Sequence, residues 1–144
     1  MALRKTGTYV LLLELPVPQQ IYVGSVGMIS FPAGFYTYTG SAMGGLKTRI
    51  ARHVRHDKKT RWHIDFLLAH ATIKEIFCWE SAIRMECAIA QALGNDFKSV
   101  PRFGCSDCRC PSHLHYNQSE SKLKNAIRRL GGTATGPSLF DRLN

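Results

Sequence analysis

The sequence predicts an α+β domain, a small central antiparallel sheet flanked by helices, and three observations carry that reading. Short runs rich in Val, Leu and Tyr, broken by Gly and Pro, fill the stretch up to Gly40. A four-residue apolar repeat follows from Leu46 through Ile50 to Val54. The chain of 144 residues is long enough to bury a core and too short to divide comfortably into two.

Taken in order, residues 7–15 read as a strand that Pro16 and Pro18 end. Ile21-Tyr-Val-Gly24 and Ile29-Ser-Phe31 form a hairpin around Gly24 and Gly27. Pro32-Ala-Gly34 leads into a strand over Phe35–Tyr38, in which Tyr36 and Tyr38 share a face because strand side chains alternate. Together these segments suggest three antiparallel strands. Between Gly45 and His56 an amphipathic helix carries Leu46, Ile50 and Val54 on one stripe and Arg49, Arg52, His53 and His56 on an adjoining sector. The Asp57-Lys-Lys-Thr60 turn separates it from a helix over Trp62–His70, and Ile73–Trp79 reads as a further strand. A helix over Glu80–Leu93 is expected to end at Gly94 as a left-handed cap. Periodicity then fails over Asn95–Gln118, which is rich in turn residues, and a basic helix resumes over Ser119–Leu130. Residues 1–118 are therefore expected as the domain proper, 119–131 as a helix packed on it, and 132–144 as a mobile tail from which Leu139-Phe140 could dock back. There is no internal repeat and no extended low-complexity segment.

Charge narrows the function. With 19 Lys+Arg against 10 Asp+Glu the net charge is +9, a field that favours polyanions. Lys47, Arg49, Arg52, Arg55, Lys58, Lys59 and Arg61 fall in one stretch opposed only by Asp57, with His53 and His56 among them. A solvated helix face is the bland explanation of such a run; a phosphate-binding surface is the functional one. No run approaches the ~20 apolar residues that span a bilayer, and the apolar stretch near the start is short and broken by Glu14, so neither membrane insertion nor export is expected. Five cysteines, an odd number with Cys78 and Cys87 in apolar surroundings, argue against a secreted disulfide framework and for a reducing, cytoplasmic setting.

Two phenols on a strand pair beside a helix bearing guanidinium and imidazole groups suit chemistry on phosphate. The phenols are Tyr9 in Gly7-Thr8-Tyr9 and Tyr38 in Tyr38-Thr39-Gly40. Arg49 has a fork that can bind two phosphate oxygens at once, and His53 lies one helical turn on. Glu86 has Ala82, Ile83, Ile89 and Ala90 as its helical neighbours, which places a carboxylate in an apolar stripe. Such a group needs a partner, either an arginine or a hard cation such as Mg²⁺ or Mn²⁺, which takes only one or two protein carboxylates. His63 and Asp65 are two residues apart and point in different directions on a helix, so they are supporting or structural positions around the metal or substrate groove. Cys105, Cys108, Cys110 and His113 contain enough soft ligands for tetrahedral zinc. Buried thiols in a loop near the active site are the preferred reading and zinc the alternative. Asp107 is a further acidic candidate.

These motifs, with Gly44-Gly-Leu-Lys-Thr-Arg-Ile-Ala-Arg-His53, Trp62-His-Ile-Asp-Phe66 and Phe103-Gly-Cys-Ser-Asp-Cys108, resemble the GIY-YIG nuclease superfamily and, within it, the DUF123 family. The resemblance spans about residues 7 to 116; Thr8 and Thr39 replace the isoleucines of the two namesake motifs. It implies a GIY-YIG-like fold in which Tyr9 and Tyr38 are the motif tyrosines. Arg49 falls on the catalytic arginine after one extra residue in the Met43-Gly-Gly45 loop, and Glu86 on the metal-binding glutamate of a late helix. The implied activity is metal-dependent endonucleolytic cleavage of DNA, favoured over RNA, leaving 5′-phosphate and 3′-hydroxyl ends. A structure-selective or single-strand role in DNA repair fits, since no second domain is available to read a long sequence. Lys47, Arg52, Arg55, Lys58 and Lys59 would hold the nucleic acid. The rival is a catalytically weak or inactive nucleic-acid-binding module stabilised by zinc. A phenol ordinarily titrates near pH ~10, so a tyrosine base at neutral pH needs nearby cations to lower its pKa; Arg49, Lys47 and a metal are the candidates.

Overall fold

The computed structural model describes residues 6–105 and 108–135. The fold is α+β, as the sequence predicts, but the central sheet is larger than three strands. Among the described residues, six antiparallel strands lie in the order β6 (Lys98–Ser99), β7 (Leu114–Asn117), β4 (Gly34–Ala42), β1 (Gly7–Leu15), β5 (Thr72–Glu80) and β8 (Thr133–Thr135). A separate hairpin joins β2 (Gln19–Val23) to β3 (Gly27–Phe31). Among the described residues there are four α-helices: α1 (Leu46–Val54), α2 (His63–Leu68), α3 (Glu86–Asp96) and α4 (Glu120–Arg129). None is long and apolar enough to cross a membrane.

β1 is central and covered on both faces, which is why it reads as an unbroken apolar run rather than an alternating one. Tyr9, Leu11, Leu13 and Leu15 point to one face, where they pack with Tyr36, Tyr38, Ile76, the α1 stripe Leu46, Ile50 and Val54, and the hairpin residues Ile21, Val23 and Phe31. Val10 and Leu12 point to the other face, against Phe77, Trp79, Ile89 and Leu93 of α3, and Leu123 and Ile127 of α4. Ser119 caps α4 by accepting a hydrogen bond from the Lys122 N–H at 3.3 Å, and the indole of Trp79 donates to the Leu130 carbonyl at 2.8 Å.

Four expectations about elements need correction. The turn-rich stretch 95–118 contains β6 and β7; these strands are short and polar, and their identity comes from pairing, β7 with β4 and β6 with β7. The stretch 132–144, expected as a tail, begins with β8, which pairs with β5 through Ile76, Phe77 and Cys78. The remainder, with Leu139-Phe140, lies outside the described residues, as does Asp107. Glu80 belongs to β5, and α3 starts only at Glu86. Gly94 does not end that helix: α3 continues to Asp96, and a Cβ at Gly94 would come within 3.2 Å of His115 Nε2. The glycine serves close packing of α3 against β7, not a left-handed turn.

Candidate functional site

The register of β1 and β4 sets two phenols side by side. Tyr9 pairs with Gly40 and Leu11 with Tyr38, so both tyrosines stand on the face covered by α1. A Cβ at Gly40 would overlap the Tyr9 ring and hydroxyl, and one at Gly7 would overlap the Trp79 carbonyl oxygen. Each motif glycine is therefore a requirement of close approach. Thr8 has a role that its β-branched shape did not reveal: its buried hydroxyl accepts the Met85 N–H at 3.2 Å, tying the residue before Glu86 to the strand that carries Tyr9. The buried hydroxyl of Thr39 has no hydrogen-bond partner among the described residues.

α1 opens at Gly45, whose φ of +127° only glycine adopts readily. Its buried stripe turns Arg49 and His53 toward the tyrosines. His53 Nε2 lies 2.6 Å from the Tyr9 hydroxyl oxygen, and the histidine is 2% exposed. Burial pushes its pKa down to about 3, against the opposing pull of Asp65, so His53 is neutral at physiological pH. Burial also raises the Tyr9 and Tyr38 phenols, and for both it outweighs the lowering effect of Arg49. The cation-lowered tyrosine base expected from the sequence does not arise from the protein's own cations. The Arg49 guanidinium donates to the Ser41 carbonyl at 3.2 Å and sits 4.6 Å from the Trp62 ring centroid.

Tyr38, Arg49 and Glu86 line a common cleft of about 350 Å³, together with Arg61, Trp62, His63 and Gly104. Tyr9 stands behind this wall, 1% exposed. Glu86 reaches the cleft for a different reason from the one its neighbours suggested. Ala82 and Ile83 are not helical, and Ile83 is 74% exposed, so the apolar stripe exists only on the C-terminal side of Glu86, as Ile89 and Ala90. Glu86 is instead the first residue of α3, where the positive end of the helix favours a carboxylate. Its Oε2 is 3.5 Å from His113 Nδ1.

The Trp62-His-Ile-Asp65 motif divides its labour as the helical geometry requires. Asp65 turns away from the cleft. It accepts both nitrogens of the Arg52 fork at 3.0 Å and the Arg61 and Trp62 N–H groups at 2.9 Å, which caps α2. Burial alone would raise this carboxyl, but hydrogen bonds from Arg52 and from the two N–H groups hold it below the usual range. His63 faces the cleft, and its Nδ1 accepts the Gly104 N–H at 2.9 Å. Gly104, at φ +74°, packs so closely that a Cβ would lie 3.1 Å from the Tyr38 ring. The Phe103-Gly104 segment thus touches both His63 and Tyr38.

The cationic run is not one free surface. Arg52, expected to hold nucleic acid, is committed to Asp65 and stacks 4.0 Å from the Trp62 centroid. Lys58 donates to the His53 carbonyl at 3.1 Å and to the Arg55 carbonyl, closing the end of α1. His56 lies beyond the helix, Arg55 and Lys59 are exposed, and Lys47 is half-buried. Arg61, which sequence reasoning left among the general charges, lines the cleft.

The cysteine cluster also differs from expectation. Cys87, Cys108, Cys110 and His113 bring their ligand atoms within 4.8 Å of one another and could hold a metal ion. Cys105 is not among them; its thiol donates to the Phe103 carbonyl at 3.3 Å. Cys87 was missed because it sits far back in the sequence, in the first turn of α3. Its thiol is pushed up to about 12, first by its hydrogen bond with Cys110 and then by burial, so without a cation the Cys87 sulfur stays protonated.

The neutrality of His53 has a measurable consequence. Its folded pKa lies below the unfolded value, so the stability it permits is fully present above pH ~6.5 and is lost as pH falls toward its folded pKa of about 3. Unfolding free energy should drop by roughly 3 kcal/mol between pH 6.5 and pH 4, at up to ~1.4 kcal/mol per unit. Denaturant titrations across that range would measure it, and His53→Leu should flatten the slope. A resonance assigned to His53 that titrates near pH ~6.5 in the folded protein would refute the buried neutral state.

The protein-family model described as "Domain of unknown function DUF123" matches residues 8–135. Comparisons with curated proteins and with solved structures found no match.

Proposed function

The chain belongs to the DUF123 family, and we propose that it is a metal-dependent endonuclease of the GIY-YIG kind that hydrolyses phosphodiester bonds in DNA. One observation carries the reading: Tyr38, Arg49 and Glu86 line a single cleft, with Tyr9 and His53 packed directly behind it. Phosphoryl transfer asks for positioned cations, a group to orient the nucleophile, and a way to stabilise the departing oxygen. A single carboxylate beside an open, polar cleft is the donor set that Mg²⁺ or Mn²⁺ accepts, since these ions keep several waters. Held by Glu86, such an ion would supply Lewis acidity and a more acidic bound water.

The remaining tasks fall to the protein's own groups. Arg49, fixed by Ser41 and Trp62, offers planar donors to the phosphoryl oxygens. Tyr38 faces the same space and orients phosphate or water by hydrogen bonding as a neutral phenol. Tyr9 is held by neutral His53 at 2.6 Å and has no direct opening to the cleft, so its part is to position Arg49 and Tyr38. His63, with Nδ1 occupied by Gly104, carries its proton on Nε2 and can donate it toward the substrate or to Ser25, 3.4 Å away. Arg61 at the rim and the exposed Arg55 and Lys59 extend the cationic track.

A second reading, a zinc-stabilised nucleic-acid-binding module without turnover, is favoured by the cysteine cluster and by the raised pKa of both phenols. A cleavage panel separates the two. Single-stranded, duplex, flapped and branched DNA, with matched RNA, would be incubated with Mg²⁺ or Mn²⁺ and the product ends mapped. The nuclease reading expects cutting with 5′-phosphate and 3′-hydroxyl termini on at least one DNA structure; binding without cutting on every substrate supports the module.

A further inference from the structure

We propose that Cys87, Cys108, Cys110 and His113 form a structural zinc site that staples the 103–113 loop to the first turn of α3. The ligand chemistry favours zinc: three thiolates and one imidazole are a closed tetrahedral set, soft enough to disfavour Mg²⁺ or Ca²⁺. A tetrahedron with Zn–S bonds of ~2.3 Å has edges of roughly 3.8 Å. The four ligand atoms already lie within 4.8 Å of one another, and Cys108 Sγ and His113 Nε2 are 3.3 Å apart. Rotations of the cysteine side chains complete the shell.

The sources of the ligands give the site its purpose. Cys87 belongs to α3, which packs on one face of the sheet, whereas Cys108, Cys110 and His113 belong to the loop that crosses Tyr38 on the other face. Among the described residues, Thr39 N–H donates to the His113 carbonyl at 3.0 Å and ties that loop to β4, while His113 N–H donates to the Phe103 carbonyl at 2.9 Å within the loop itself. A metal adds a non-local tie. All four ligands are half-buried or buried, with Cys110 at 8% and His113 at 1% exposure, and the described cysteines form no disulfide. Three sulfurs gathered at one point could form one disulfide and would leave one thiol over, whereas a metal uses them all.

Occupation also fixes one histidine tautomer. With Nε2 on the metal, His113 carries its proton on Nδ1, a buried nitrogen with no aligned hydrogen-bond partner that lies 3.5 Å from Glu86 Oε2. The metal thereby turns that contact into an N–H facing a carboxylate, the arrangement that commonly orients metal-bound histidines. The site holds Glu86 in register with the cleft without touching substrate.

The test uses the full chain purified without a histidine tag, and none of its readouts requires cleavage activity, so its outcome is independent of the nuclease reading. Elemental analysis should find about one zinc per chain, and the Co²⁺-exchanged protein should show the intense visible bands and sulfur-to-cobalt charge transfer of tetrahedral thiolate ligation. Cys87→Ser and Cys110→Ser should lose the metal and unfold at lower temperature, while Cys105→Ser keeps both. If the serine variants fail to fold, chelator treatment of the parent should lower its melting temperature and added Zn²⁺ should restore it. A metal-free protein indifferent to chelator and zinc, an iron–sulfur chromophore, or equal metal loss from Cys105→Ser and Cys87→Ser would each overturn the proposal.

Discussion

Glu86→Gln should reduce Mg²⁺-dependent cleavage by at least ~10³-fold while leaving the fold intact and DNA binding unchanged or slightly tighter. The substitution keeps the size of the side chain and removes only its charge. Glu86 is the first residue of α3, so loss of its charge gives up a charge–dipole interaction of about 1 kcal/mol together with the charge on its 3.5 Å contact with His113. Polyanion affinity should not fall, because the variant removes a negative charge from a cleft whose other charged wall residues include Arg49 and Arg61. The signature is therefore a collapse of kcat at constant or improved Kd, with single-turnover rates measured against Mg²⁺ or Mn²⁺ concentration. A rate within tenfold of the parent would remove Glu86 as the cation ligand and, with it, the metal-dependent mechanism.

The same residue marks how far the sequence could be read. Its position in the motif order was legible, but the local argument for it was only half sound: Ile89 and Ala90 are buried on α3, whereas Ala82 and Ile83 belong to a non-helical segment, because β5 runs on through Glu80 and the helix starts only at Glu86. What was legible is what depends on local pattern. The β1 run, the hairpin, and the Leu46, Ile50 and Val54 stripe all emerged as strands and a helix in the expected places. What was hidden depends on contacts distant in sequence. β7 is four residues long and contains a histidine and an asparagine; only its pairing with β4 makes it a strand. Cys87 joins Cys108 through the packing of α3, which no spacing rule records. Arg52 looked like a phosphate contact because its bond to Asp65 crosses 13 residues and two helices.

That last pair makes the decisive control for the cationic edge. Arg49→Ala should lower kcat by ~10³-fold with only a few-fold loss of DNA affinity, because the guanidinium matters most as charge builds on the phosphoryl oxygens. Arg49→Lys should recover little, since an ammonium keeps the charge but lacks the planar fork. Arg52→Ala should behave in the opposite way. It strips the nearly buried Asp65 carboxylate of its bidentate partner and should cost roughly 2–4 kcal/mol of stability. The 18% exposure of the arginine places it toward the lower end. Below its melting transition, the Arg52 variant should keep most of its turnover. Arg52 and Arg49 lie over the same Trp62 ring, with centroid distances of 4.0 and 4.6 Å, so the two variants probe neighbouring charges with separate duties. Denaturation midpoints, Kd as a function of salt, and single-turnover rates on the best substrate would resolve them. Equal losses of binding and rate in Arg49→Ala would reduce that residue to a phosphate anchor. A loss of turnover in Arg52→Ala without loss of stability would move the reacting phosphate along the helix, away from Glu86.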